Sequence, residues 1–134
     1  MHQLATLGNL PAYLVFISAL IGLLVVFTWL YTHLTPYNEI QLIRAGNRAA
    51  AFSLGGTLIG MALPLSMLAT QTSEVMVLLI WGAVALAFQF LAFGLCALVL
   101  RDVRKNMEAG HDSYGIAIGC FSIVVGLINA GSLT

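Results

Sequence analysis

Four stretches of this sequence contain no Asp, Glu, Lys or Arg: residues 1–38, 49–73, 75–100 and 113–134. Each is long enough to supply the roughly 20 mostly apolar residues that carry an α-helix across a ~30 Å hydrocarbon core. A backbone inside lipid must satisfy its own hydrogen bonds, and a long continuous apolar run does so as a helix. The expected fold is therefore an all-α membrane protein with four transmembrane helices in a single membrane domain spanning residues 1–134. Composition serves mainly to exclude. Only 7% of the residues are charged and 60% are hydrophobic, whereas an ordinary soluble domain carries about 25% charged residues. The formal net charge is zero, which leaves no electrostatic footprint for nucleic acid.

The few charges orient the chain. All five basic residues fall in two short segments, Arg44 and Arg48 in one, Arg101, Arg104 and Lys105 in the other. Basic residues concentrate in cytoplasmic loops, and both segments follow an odd-numbered span. Both loops are therefore expected in the cytoplasm, with both termini periplasmic. A cleavable signal peptide needs a basic region before its apolar core. The residues before Ala12 offer only His2, so the first segment is expected to be a retained span.

The spans are expected at about Ala12–Tyr31, Ala49–Ala69, Val75–Leu100 and Tyr114–Leu133. Tyr13 near one end of the first span, and Trp29 and Tyr31 near the other, suit the two headgroup belts. Thr35-Pro36 has the form of an N-cap followed by a first-turn proline. It predicts a short amphipathic helix on the cytoplasmic membrane face that stops at Gly46. Asn47 is placed to cap the second span, and Asp112 or Ser113 the fourth. Pro64 should kink the second span. The short link around Thr70–Glu74 makes spans two and three antiparallel neighbours. The chain is expected to end with the fourth span.

The second half aligns with the first at a shift of 64 residues. Ala45-Gly46-Asn47 then meets Ala109-Gly110-His111, Gly55 meets Gly119, Ile59 meets Ile123, and Leu63 meets Leu127. The shift also equates the two basic loops. The expectation is two parallel two-helix repeats, about 11–70 and about 75–134, related by a pseudo-two-fold axis along the membrane normal.

Residues Thr35–Ser66 read TPYNEIQLIRAGNRAAAFSLGGTLIGMALPLS. This stretch closely resembles the most characteristic segment of domain-of-unknown-function family 350, the YjfL-like bacterial inner-membrane proteins of the UPF0719 type. The features that carry the resemblance are Thr35-Pro36-Tyr37-Asn38-Glu39, Leu42-Ile43-Arg44, Gly46-Asn47, Ala49-Ala50, the glycine-rich middle and Leu63-Pro64-Leu65. The second half, ending Gly126-Leu127-Ile128-Asn129-Ala130, resembles the family's repeat. It departs from the pattern at His111-Asp112-Ser113. The resemblance implies a multi-pass protein of the bacterial inner membrane and implies no reaction.

No charged residue lies within an expected span. Pumps, voltage sensors and ion-coupled transporters usually carry intramembrane ionisable residues, so active transport by this chain alone is not expected. Nor is there a phosphate-binding glycine motif with lysine. His2, His33 and His111 show no ligand spacing, and Cys96 and Cys120 lie in different spans. The expectation is a protein that is not an enzyme and has no cofactor or metal.

Gly56/Gly60 and Gly115/Gly119 are GxxxG pairs that let helix backbones approach closely. They read as packing of spans two and four against each other, or alternatively as homo-oligomer contacts. Gln89, Asn129, Thr57 and Ser122 read as interhelical hydrogen-bond formers, or as a polar lining. Glu39, Arg44 and Asn47 read as cap residues or as residues that meet a cytoplasmic protein partner. The leading functional expectation is a homo-oligomeric structural or partner-binding component embedded in the lipid bilayer. The alternative is a passive channel or small-solute conduit formed by the oligomer.

Overall fold

The computed structural model describes residues 10–134; His2 lies outside them. The described residues form six helices: α1 (Leu10–Leu34), α2 (Glu39–Arg44), α3 (Arg48–Gln71), α4 (Val75–Leu100), α5 (Val103–Glu108) and α6 (Asp112–Ser132). The protein is an all-α membrane protein. α1, α3, α4 and α6 are the four helices long and apolar enough to span a bilayer. The two six-residue helices are connectors, α2 between α1 and α3, and α5 between α4 and α6. Both connectors lie at one end of the bundle, because the Asn47 amide donates to the Met107 carbonyl at 2.7 Å.

The connectors end alike. Gly46 and Gly110 have φ of +90° and +79°, the left-handed position a helix C-terminus favours for glycine. The next amide folds back in each, Asn47 N–H to the Leu42 carbonyl at 2.9 Å and His111 N–H to the Asn106 carbonyl at 3.1 Å. Their beginnings differ from expectation. Asn38, not Thr35, caps α2, accepting from the Gln41 amide. Thr35 instead donates to the Thr32 and Tyr37 carbonyls, closing the end of α1 and leaving Pro36 outside any helix. Asn47 caps α3, accepting from the Ala50 amide at 3.0 Å. At α6 the cap position is His111, with no side-chain cap bond, and Asp112 is the first helical residue.

The centre of the bundle is the α3–α6 pair. The two helices leave the connector end in parallel and meet through small residues at successive levels. A Cβ on Gly115 would fall on the Ala49 backbone, one on Gly56 on Gly119, and one on Gly60 on the Ser122 carbonyl. Only glycine allows so close an approach. Pro64 lies inside α3 and has no N–H for the Gly60 carbonyl; Gly126 packs directly against that oxygen. α4 packs on both helices of the pair. α1 joins it through a cluster in which Leu20, Leu23, Leu24 and Phe27 surround Met61, Leu65 and Leu86.

Candidate functional site

The polar residues inside the spans tie the helices to one another. Gln89 on α4 donates to the Ser122 carbonyl on α6 at 3.2 Å. Asn129 donates back to the Ala85 carbonyl at 2.8 Å and reaches the Gln89 side-chain oxygen at 3.5 Å. Thr57 and Ser122 share a hydroxyl contact at 3.4 Å between α3 and α6. A polar group buried in an apolar bundle must find such partners. Gly56, Gly60, Gly115 and Gly119 all face the same α3–α6 seam. Within this chain the four glycines, Thr57 and Ser122 are thus drawn into the α3–α6 interface, and Gln89 and Asn129 into the α4–α6 interface beside it. Cys96 and Cys120 are free thiols, the first half-buried and the second on an exposed face.

The connector end holds a different set. Arg44 is exposed at the end of α2. Arg48 meets Asp112 at 3.6 Å and Arg104 meets Glu108 at 3.6 Å, both pairs solvent-accessible and worth little to stability. Glu39 departs from the surface role expected of it: it is 0% exposed. α2 does not simply lie on the membrane face. Its first residue turns inward, against α1 and α3.

Three hydroxyls from three segments enclose this carboxyl. Tyr31 on α1 donates to Glu39 Oε1 at 2.9 Å, and Ser53 on α3 donates to the same oxygen at 3.3 Å. The Tyr31 hydroxyl and Ser53 Oγ share a hydrogen bond at 3.1 Å, and Tyr37 joins Ser53 at 3.3 Å from the linker before α2. Tyr31 was expected in a headgroup belt; it is instead buried, its ring edge-on to Phe93 with centroids 5.1 Å apart. Glu39 Oε2 is buried without any partner. Burial raises the Glu39 carboxyl from 4.5 to about 7, while the hydroxyls of Tyr31, Tyr37 and Ser53 pull it back in part. Tyr37 is held well above the ordinary phenol value, by burial first and then by the neighbouring Glu39 charge. It therefore stays neutral and can donate.

Sequence reasoning missed this site because it equated lying outside a span with lying outside the bundle. A signal was present. At the 64-residue shift expected from the sequence, Glu39 falls opposite the apolar residue Val103. No group of three or more His, Cys, Asp or Glu among the described residues is arranged to hold a metal ion.

The family model described as Domain of Unknown Function (DUF350) matches residues 5–133. The chain belongs to the DUF350 family. It is similar to the UPF0719 inner membrane protein YjfL of Escherichia coli K12, with 31% identity over 134 residues covering all of this chain and 99% of the relative. The protein of the same name from Escherichia coli O157:H7 matches to the same extent. No solved structure matches the chain. Within the DUF350 match lie both connectors, the glycine seam and the Glu39 cluster.

Proposed function

We propose that this DUF350 protein is a multi-pass component of the bacterial inner membrane that acts as a structural, partner-binding module rather than as an enzyme or conduit. Its two halves are read as parallel repeats. Its connector end is read as the cytoplasmic side, with both termini periplasmic, and it works as a homo-oligomer. The observation that carries this reading is how the polar groups are distributed. Gln89, Asn129, Thr57 and Ser122 are bonded across the helix seams, which supports a sealed and rigid core. All five basic side chains are exposed at the connector end, which supports a docking surface set on that rigid base. Because the GxxxG glycines are consumed inside the chain, the homo-oligomer contact is assigned to the outer faces of α1 and α4, where residues such as Val25, Trp29, Leu91 and Leu95 are exposed.

Three measurements test the reading. Reporter fusions after Asn106 should read cytoplasm. Purified protein in proteoliposomes should pass neither ions nor small polar solutes, while a photo-crosslinker at Arg44 or Arg104 should give a discrete adduct with a cytoplasmic protein in cells. A reproducible flux that is lost in Gln89→Leu would replace the module with a conduit.

A further inference from the structure

The Glu39 cluster has two properties that a structural hydrogen-bond network does not need. The fold accepts an apolar residue at the matching place, since Val103 begins α5 as Glu39 begins α2 and is likewise buried, at 6% exposure. And one carboxyl oxygen, Oε2, is buried with nothing bonded to it. A buried carboxylate normally has a counter-charge. Here the groups facing Glu39 are Tyr31 from α1, Tyr37 from the linker and Ser53 from α3, all neutral. No cation forms an ion pair with it among the described residues, and Arg44, on the same helix, is exposed at its other end. Arg48 pairs with Asp112 and stands over the Phe52 ring, Arg104 pairs with Glu108, and exposed His33 bonds the Trp29 carbonyl.

We propose that Glu39 is a proton-binding site, and that its protonated carboxyl latches the first connector, Tyr37 and α2, onto α1 and α3. A proton on Oε1 lets that oxygen donate to Ser53 Oγ or the Tyr31 hydroxyl, and leaves Oε2 as an uncharged carbonyl. An unbonded buried carbonyl oxygen is far better tolerated than half of a bare carboxylate. Release is a plain acid dissociation: the carboxyl O–H bond breaks, its electron pair stays on Glu39, and the proton passes to solvent. A route out exists. Tyr37 reaches Ser53 with its hydroxyl and also lines a surface concavity of about 490 Å³ with Thr32, His33, Thr35 and Asn38. Once ionised, the carboxylate has an unbonded oxygen and no cation beside it, so the connector gains by moving it to water. The Glu39 value of about 7 places this exchange near neutrality. The site does not depend on the partner-binding reading and stands if that reading fails.

The full chain in lipid nanodiscs, labelled with 13C at the glutamate carboxyls, tests the site directly. The chain has three glutamates, Glu39, Glu74 and Glu108. Glu74→Gln and Glu108→Gln, both at exposed positions, assign the other two resonances without disturbing the cluster. The Glu39 resonance should titrate near pH 7, and a midpoint near the ordinary value of 4.5 overturns the proton site. The latch is read separately. With Cys96 and Cys120 replaced by Ala, a cysteine at half-buried Ile43 is labelled with a maleimide, and its rate is divided by the rate in a Glu39→Gln background. That ratio should be near one at about pH 5.5 and rise several-fold by about pH 8.5, as ionisation frees α2. A flat ratio overturns the latch.

Discussion

Between α1 and α3 the chain buries a carboxyl; between α4 and α6, at the position 64 residues on, it buries an isopropyl group. Both connectors are six-residue helices followed by a positive-φ glycine and a folded-back amide. Around Glu39 stand Tyr31, Tyr37 and Ser53; at the same shift stand Leu95, Arg101 and Ala117. The backbone plan therefore does not call for the polar cluster. α5 is seated by Val103 and Met107, packed in the cluster with Tyr37, Ala49, Ala50 and Ile118, and by the Asn47 bond to the Met107 carbonyl, with no buried carboxyl among them. The first connector differs in burying, among its packing contacts, a group that can change its charge.

Transplanting the charge should produce the largest effect. Val103→Glu buries a carboxyl in the cluster with Ala49, Ala50, Met107 and Ile118, so it should destabilise the protein by ~3 kcal/mol or more at neutral pH, and less in acid. Denaturant unfolding in mixed micelles reads it. A loss under ~1 kcal/mol would show that the second connector yields easily, and the contrast between the two would weaken.

The capping residues differ in the same sense. Asn47 caps α3 and also reaches across to the Met107 carbonyl, whereas His111 makes no side-chain cap bond. Asn47→Ala should cost ~1–2 kcal/mol, and His111→Ala no more than ~0.5 kcal/mol. Equal losses would mean that Asn47 contributes through neither bond. Smaller again is the Arg48–Asp112 pair, which joins the first residues of α3 and α6. Arg48→Ala should change stability by well under ~1 kcal/mol, because both side chains are solvated.

Much of this was legible from periodicity and punctuation. The charge-free runs gave all four spans, Gly46 the end of the first connector, Asn47 its cap, and the small-residue spacing the α3–α6 seam. What escaped was contact between segments far apart in the chain. Tyr31 alone reads as a belt aromatic, Glu39 alone as a loop charge, and Ser53 alone as a small polar residue in a span. Only the turn of Thr35–Asn38 brings them together, and that turn was read as the start of a helix. Asn38 displaced Thr35 as the cap because Thr35 closes α1 instead. Asp112 and Ser113 were read as caps of α6 where His111 takes that position, since side-chain chemistry fixes such a boundary only to within a residue or two.

The central claim, that Glu39 is buried as a proton-binding carboxyl, is tested most directly by stability against pH in the wild type and in Glu39→Val, which installs the second connector's residue. The folded protein holds the Glu39 proton up to about pH 7, while the unfolded chain loses it near 4.5. Between those values the folded state binds the extra proton, so stability falls as pH rises and the loss is complete above about 7. The wild type should lose up to ~3 kcal/mol across that window, and Glu39→Val should lack this component. Curves that fall together in both proteins would contradict the claim.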